Sequence, residues 1–222
     1  MNFLKKILTK TIAQQLRKPS GLLAGKVGKE MNKSNGLLYD FTVDAMQIAD
    51  NEAILEIGFG NGKFFDKIFS LANNLKISGL DFSPDMVKEA TSNNPSTSSS
   101  GKLTLRLGSS DNIPFLDNSF DKVFCINVIY FWDKPADHLK EIHRVLKPGG
   151  KFYASVRTKE TLTRLPFTEY GFNIYTQDEW INIMKANHLH FIDARKTDNE
   201  PDAVFDKQSI KMESLCIVAE KK

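Results

Sequence analysis

The run Ala53-Ile54-Leu55-Glu56-Ile57-Gly58-Phe59-Gly60-Asn61-Gly62 is an apolar strand entering a turn with glycine at every second position. Glycine lacks a Cβ, so such a turn can take positive φ and lay its backbone against a ligand that any side chain would displace. A second apolar run, Leu75 to Leu80, ends at Asp81, a carboxylate able to accept both hydroxyls of a ribose. Together they predict a nucleoside pocket. A dinucleotide motif would need a third glycine where this chain has Lys63. Glu56 also places negative charge at a helix N-terminal turn, a position that otherwise favours phosphate, and so suits a cationic ligand.

These residues need a scaffold, and the surrounding pattern supplies one. Strand candidates Ala53 to Ile57, Leu75 to Leu80, Leu103 to Leu107, Val123 to Asn127 and Lys151 to Val156 alternate with helical stretches Gly62 to Ala72, Pro84 to Ser92 and Ala136 to Leu146. Such alternation implies right-handed crossovers and a parallel sheet covered on both faces, with ligands beyond the strands' carboxyl ends. Thr176 to Ala186 reads as a helix opened by a Thr176 and Glu179 capping box. His190 to Arg195 and Ser214 to Ala219 are strands joined by a polar loop, which favours an antiparallel pair closing the sheet's edge. The expected fold is α/β, a Rossmann-like doubly wound sheet of seven strands, mostly parallel with one antiparallel edge strand and helices on both faces. The Ser-rich stretch Thr91 to Gly101 reads as a surface loop.

Ahead of this unit, Phe3, Leu4, Ile7, Leu8, Ile12 and Leu16 recur at helical spacing among lysines, and Pro19-Ser20-Gly21 stops the helix. A Gly-rich connector follows, then a second helix through Leu37, Leu38, Phe41, Val43, Met46 and Ile48. Residues 1–50 are read as a helical cap within the same domain as residues 51–222. The first helix has a plain reading, a lid packed on its own domain, and a sharper one, with residues 3–18 lying on an anionic membrane surface.

Composition narrows the partners. The 222 residues, 41% of them hydrophobic, suit one domain with a sizeable core. Seven of the 30 basic residues fall in the first 29 positions with no acid before Glu30, leaving 23 bases against 27 acids in the remainder. A mildly acidic body argues against gripping a nucleic-acid backbone with the main surface. Cys125 and Cys216 sit in apolar runs without CxxC spacing or a neighbouring His, so they read as buried thiols, and no metal is expected. No apolar run reaches membrane-spanning length, and the cytosol is the default compartment.

The chain resembles the class I S-adenosylmethionine-dependent methyltransferases, of the small-molecule type that includes ubiquinone and menaquinone methyltransferases. Four blocks in family order carry the likeness over about residues 53–156. They are the glycine turn, Leu80-Asp81-Phe82-Ser83-Pro84-Asp85-Met86, Ile113-Pro114-Phe115-x-Asp117-x-Ser119-Phe120-Asp121, and His143-Arg144-Val145-Leu146-Lys147-Pro148-Gly149-Gly150. The resemblance implies S-adenosylmethionine as cofactor, held by Glu56, Gly58, Phe59, Gly60, Gly62, Asp81, Phe82, Met86 and Asn127. Ser109, also counted among the cofactor-binding residues, stands where the family often has Asp, so adenine reading is expected to pass to Ser110 and Asp111. Tyr39, Tyr130 and Trp132 are candidate walls of the acceptor pocket, although pockets and cores use the same residues.

The acceptor is expected to be a small molecule. Neither the Asn/Asp-Pro-Pro-aromatic run nor the Pro-Cys pair of nucleic-acid-methylating enzymes follows the fourth strand. His138, His143, His188 and His190 are each more simply read as surface or structural histidines, so no catalytic base is assigned. A sulfonium is already an activated leaving group, and alignment can suffice.

Overall fold

The computed structural model describes residues 3–205 and 207–222, excluding the side chains of residues 3–5 and 23. The apolar face expected at Phe3 and Leu4 therefore lies outside the described residues. Helices α1 (Phe3–Arg17) and α2 (Ala24–Met46) precede β1 (Ala53–Ile57), α3 (Phe65–Phe69), β2 (Lys76–Asp81), α4 (Pro84–Asn93), α5 (Pro95–Ser99) and β3 (Leu103–Leu107). The chain continues through β4 (Phe120–Ile126), α6 (Pro135–Val145), β5 (Leu146–Arg157), α7 (Lys159–Leu162), α8 (Gln177–Ala186) and β6 (Leu189–Thr197). It ends with β7 (Ala203–Phe205), β8 (Gln208–Ile210) and β9 (Ser214–Lys221).

Seven strands form one sheet in the order β3-β2-β1-β4-β5-β9-β6. The first five are parallel, with Ile57 level with Leu80 and Cys125, so the ends of β1, β2 and β4 open together on one edge. The expected architecture is present, with one correction: the reversed strand, β9, lies one place in from the edge, antiparallel to both β5 and β6. Burial explains this order. Ser214 to Ala219 are all buried, as a strand covered on both faces must be, whereas β6 leaves Phe191, Ile192, Arg195 and Lys196 exposed and tolerates the edge. The polar loop between them is folded back as the β7–β8 hairpin.

Period-two alternation divides the core. Leu55, Val123, Cys125, Phe152 and Ile217 face α6 and α8 in one cluster. Ile54, Phe124, Tyr153 and Cys216 face α2 and α3 in another. Phe65, Phe124 and Phe152 are fully buried, each contributing roughly 1.5–3 kcal/mol through apolar burial.

Three local expectations are corrected. The Gly-rich connector is helical, because α2 packs along α4 and tertiary contact overrides the roughly 1 kcal/mol cost of each interior glycine. The helix expected from Gly62 begins only at Phe65, since Gly62 has φ 67° and cannot be helical. The Ser-rich loop carries the single turn α5, started by Pro95.

Candidate functional site

The strand ends meet in a cleft of about 420 Å3. Gly58 leaves β1 with φ 76°, its N–H donating to the Leu80 carbonyl at 2.8 Å. A Cβ there would sit 2.5 Å from Val128 Cγ2, so only glycine lets the loop after β4 close against the turn. Gly60, at φ 56°, has nothing within 4 Å of where its Cβ would be. The turn is therefore bare backbone facing open space, as close approach of a ligand requires.

Asp81 locks this turn to the end of β2. Its Oδ2 accepts from Gly60 N at 3.0 Å and its Oδ1 from Ser83 N at 2.9 Å. Burial nevertheless raises its pKa to about 6 against those amide bonds and the more distant Lys18 ammonium. Ser83 caps α4 through Met86 N, with Pro84 at the first helical position. Beneath the cleft, Glu56 accepts from the Tyr39 hydroxyl at 3.0 Å. Burial drives its pKa to about 8, with a further push from Asp81 and some relief from the Tyr39 bond. Two buried acids under a backbone cradle make a site that gains from a cationic, hydroxyl-bearing ligand.

Gly58, Gly60, Asp81, Phe82, Met86, Ser109, Ser110, Asp111, Asn127 and Trp132 all line the cleft. The other expected residues lie outside its lining. Phe59 is buried with its ring against Phe65 and over Gly79, because it follows Gly58 on the core side of the turn. Gly62 instead gives room to α4: a Cβ would meet Ala90 at 2.8 Å and Asn94 at 2.9 Å. Tyr39 is no pocket wall; it stacks on Phe64 and binds Glu56. Tyr130 is buried and stacked on Phe172, part of the core beneath the cleft.

Asn127 takes φ 57° at the end of β4, donates Nδ2 to Asn35 Oδ1 at 3.0 Å, and leaves its own buried Oδ1 without a partner among the described residues. An orphaned acceptor in a cleft is a place for a ligand's donor. With the bare glycine turn and Asp81, it makes a donor and acceptor set that fits S-adenosylmethionine.

The N-terminal helices, read from sequence only as a cap, supply further lining residues. Leu16, Arg17 and Pro19 come from α1 and its exit, and Met31 from α2. Arg17 pairs with Asp133 at 2.8 Å, Ser83 Oγ donates to the Pro19 carbonyl at 2.5 Å, and Gly21 N donates to Asp85 at 2.9 Å. These bonds stretch the segment after α1 across the cleft from the β4 side to the β2 side. His138, unassigned from sequence, lies at the cleft with its Nδ1 2.7 Å from Ser110 Oγ, its ring stacked on Trp132 at 4.7 Å and 6°. Pro135 at the start of α6 was the available signal, since it fixes which residues of the first turn face back toward the loop. Among the described residues no His, Cys, Asp and Glu group could hold a metal ion.

A doubly wound sheet with a glycine cradle and an acid at adjoining strand ends defines an α/β nucleoside-binding domain. The sequence pattern of the methyltransferase domain family matches residues 55–154. Over 116 residues, 52% of this chain, it is 33% identical to YrhH of Bacillus subtilis, named as a methyltransferase. Over 112 residues, 50% of this chain, it is 32% identical to the ubiquinone/menaquinone biosynthesis C-methyltransferase UbiE of Geotalea daltonii. The chain spans 63% and 48% of the lengths of these two relatives. A methyltransferase solved in complex with the Haloferax volcanii Trm112 methyltransferase activator shares the fold, with TM-score 0.77 at 22% identity over 89% of this chain and 93% of that one. Residues 55–154 therefore carry the methyltransferase domain pattern, on a fold that methyltransferases share.

Proposed function

We propose that this protein moves a methyl group from S-adenosylmethionine to a small organic acceptor by in-line displacement, in the cytosol. The observation that carries this reading is the bare backbone of Gly58 and Gly60 beside the buried Asp81, opening into a cleft whose far wall is apolar and aromatic. In it, Asp81 accepts the ribose hydroxyls, Gly58 and Gly60 lie against the methionine portion, and Asn127 Oδ1 accepts from the ammonium group. Glu56, steadied by Tyr39, is the acid beneath the turn whose ionised form a cationic ligand would stabilise. When bound, the cofactor supplies a methyl group on a sulfonium that leaves as a neutral thioether. Phe131, Trp132 and Met31 exclude water and leave an apolar face for the acceptor, so alignment and desolvation lower the barrier. Residues 1–50 serve as a cap over this space. Two buried free thiols, Cys125 and Cys216, suit a reducing compartment.

The direct test is transfer of labelled methyl from S-adenosylmethionine into a fractionated metabolite extract, with mass identification of the product. Label in a small-molecule fraction supports the reading; label only in nucleic acid overturns it, and none in any fraction leaves a binding module without turnover.

A second reading has its own observation. The outward face of α1 exposes Ile7 and Leu8 beside Lys6 and Lys10, within a stretch free of acids. That face suits an anionic membrane, from which a lipid or quinone acceptor would be drawn. No helix among the described residues is long and apolar enough to cross a membrane. Deleting residues 1–18 should abolish sedimentation with anionic vesicles, and unchanged sedimentation would dismiss this reading.

A further inference from the structure

Beside the glycine turn and Asp81, the cleft holds a polar pair formed by Ser110 of the loop after β3 and His138 of α6. Ser110, 5% exposed, and His138, 9% exposed, meet at 2.7 Å between Oγ and Nδ1. Trp132 lies flat on the imidazole and fixes its plane. Both members line the cleft: Ser110 in the loop leaving β3, the strand next to β2 and its Asp81, and His138 in the first turn of α6, which reaches over from the β4 side to meet it. No other hydrogen bond holds the Ser110 hydroxyl among the described residues.

We propose that His138 is a positioning residue for purine selection: its Nδ1 takes the Ser110 hydroxyl proton, so that Ser110 Oγ faces the cleft as an acceptor and selects a 6-amino over a 6-oxo purine. A free serine hydroxyl can donate or accept and discriminates poorly. A serine whose proton is engaged presents only lone pairs, which pair with an exocyclic amino group and oppose a carbonyl oxygen. The arrangement needs a neutral imidazole, and burial holds the His138 pKa below its ordinary value despite Asp111, Asp137 and Asp133 nearby, with Arg17 acting in the same direction as burial.

The inference rests on the cofactor reading, and its test separates the two. Dissociation constants for S-adenosylhomocysteine and S-inosylhomocysteine are measured by calorimetry, and their ratio is the readout, so that losses common to both ligands cancel. The unmodified protein should prefer the adenosyl compound by about tenfold or more. Ser110→Ala and His138→Ala should reduce that ratio to near one, whereas His138→Asn, which can place an acceptor oxygen near the position of Nδ1, should restore it. Ser110→Ala removes a single buried atom, so it keeps the test informative if His138→Ala fails to fold. The ratio should also fall in the unmodified protein as pH is lowered below the ordinary imidazole range, where an imidazolium would donate to Ser110 and turn its proton toward the ligand, and stay flat in His138→Asn. A ratio unchanged in Ser110→Ala, with both compounds still bound, overturns this inference and leaves the cofactor assignment standing. No binding of either compound by the unmodified protein overturns both.

Discussion

The floor and the roof of the cleft are built by different physics. The floor is backbone and buried acid: Gly58 and Gly60 at positive φ, tied to the end of β2 by hydrogen bonds from Gly58 N to the Leu80 carbonyl at 2.8 Å and from Gly60 N to Asp81 Oδ2 at 3.0 Å. The roof is the segment leaving α1, held by one exposed ion pair and two hydrogen bonds to residues more than 60 positions away. A floor of this kind has one conformation, whereas a roof whose Arg17–Asp133 and Gly21–Asp85 tethers are exposed, with only the Pro19–Ser83 bond buried, can lift more readily. The asymmetry suits a site that must hold a cofactor in fixed geometry and still admit an acceptor.

Breaking the floor should have the largest effects. Gly58→Ala meets both left-handed strain and the 2.5 Å approach of Val128 Cγ2, and should cost about 2–4 kcal/mol in denaturant unfolding. Adding Val128→Ala should recover about half by removing the clash and leaving the backbone strain. Full additivity of the two substitutions would show that the turn is not held as described. Asp81→Asn should weaken S-adenosylhomocysteine by about a hundredfold, since charge-assisted bonds to both ribose hydroxyls are lost, as calorimetry would measure.

The buried acids allow a subtler test by pH. Glu56 titrates near pH 8 in the folded chain and Asp81 near pH 6, both above their unfolded values. Between unfolded and folded values the folded state holds the extra proton, so the ligand-free protein loses stability as pH rises. Asp81 is half ionised at pH 6, so Glu56 dominates the loss from pH 6 to pH 8, with the depressed His138 and His143 acting in the opposite direction near the lower end. Its part should amount to about 2 kcal/mol and be missing in Glu56→Gln, which keeps an acceptor for Tyr39. An unchanged slope in that variant would mean that another group carries the titration.

The roof should respond least. Arg17→Ala removes a largely exposed ion pair and should change unfolding free energy by less than about 0.5 kcal/mol. A loss several times larger would make the roof part of the rigid frame and erase the contrast.

The same contrast decides what could be read from the sequence. Ile57-Gly58-Phe59-Gly60 and Asp81 announce themselves because their geometry is a local property of backbone and residue type. The parallel strands were legible for the same reason, each an apolar run closed by turn residues. The place of β9 inside the sheet depended on comparing the burial of two strands, which periodicity alone does not rank. Gly62 and Phe59 share the motif with Gly58 but serve α4 and α3, a division that only packing makes. Met31 and Pro19 reach the cleft through the long α2 and the exit of α1, and the glycines at positions 25, 28 and 36 hid that helix. His138 needed the stacking of Trp132 and the hydroxyl of Ser110 to acquire meaning.

The most direct test of the account is the amide spectrum of 15N-labelled protein during titration with S-adenosylhomocysteine. The account predicts saturable shifts concentrated at Gly58, Gly60, Phe82, Ser110 and Asn127, with the β5, β9 and β6 strands silent beyond their cleft-side ends. Saturation without shifts at Gly58 and Gly60, or no saturation at all, would contradict it.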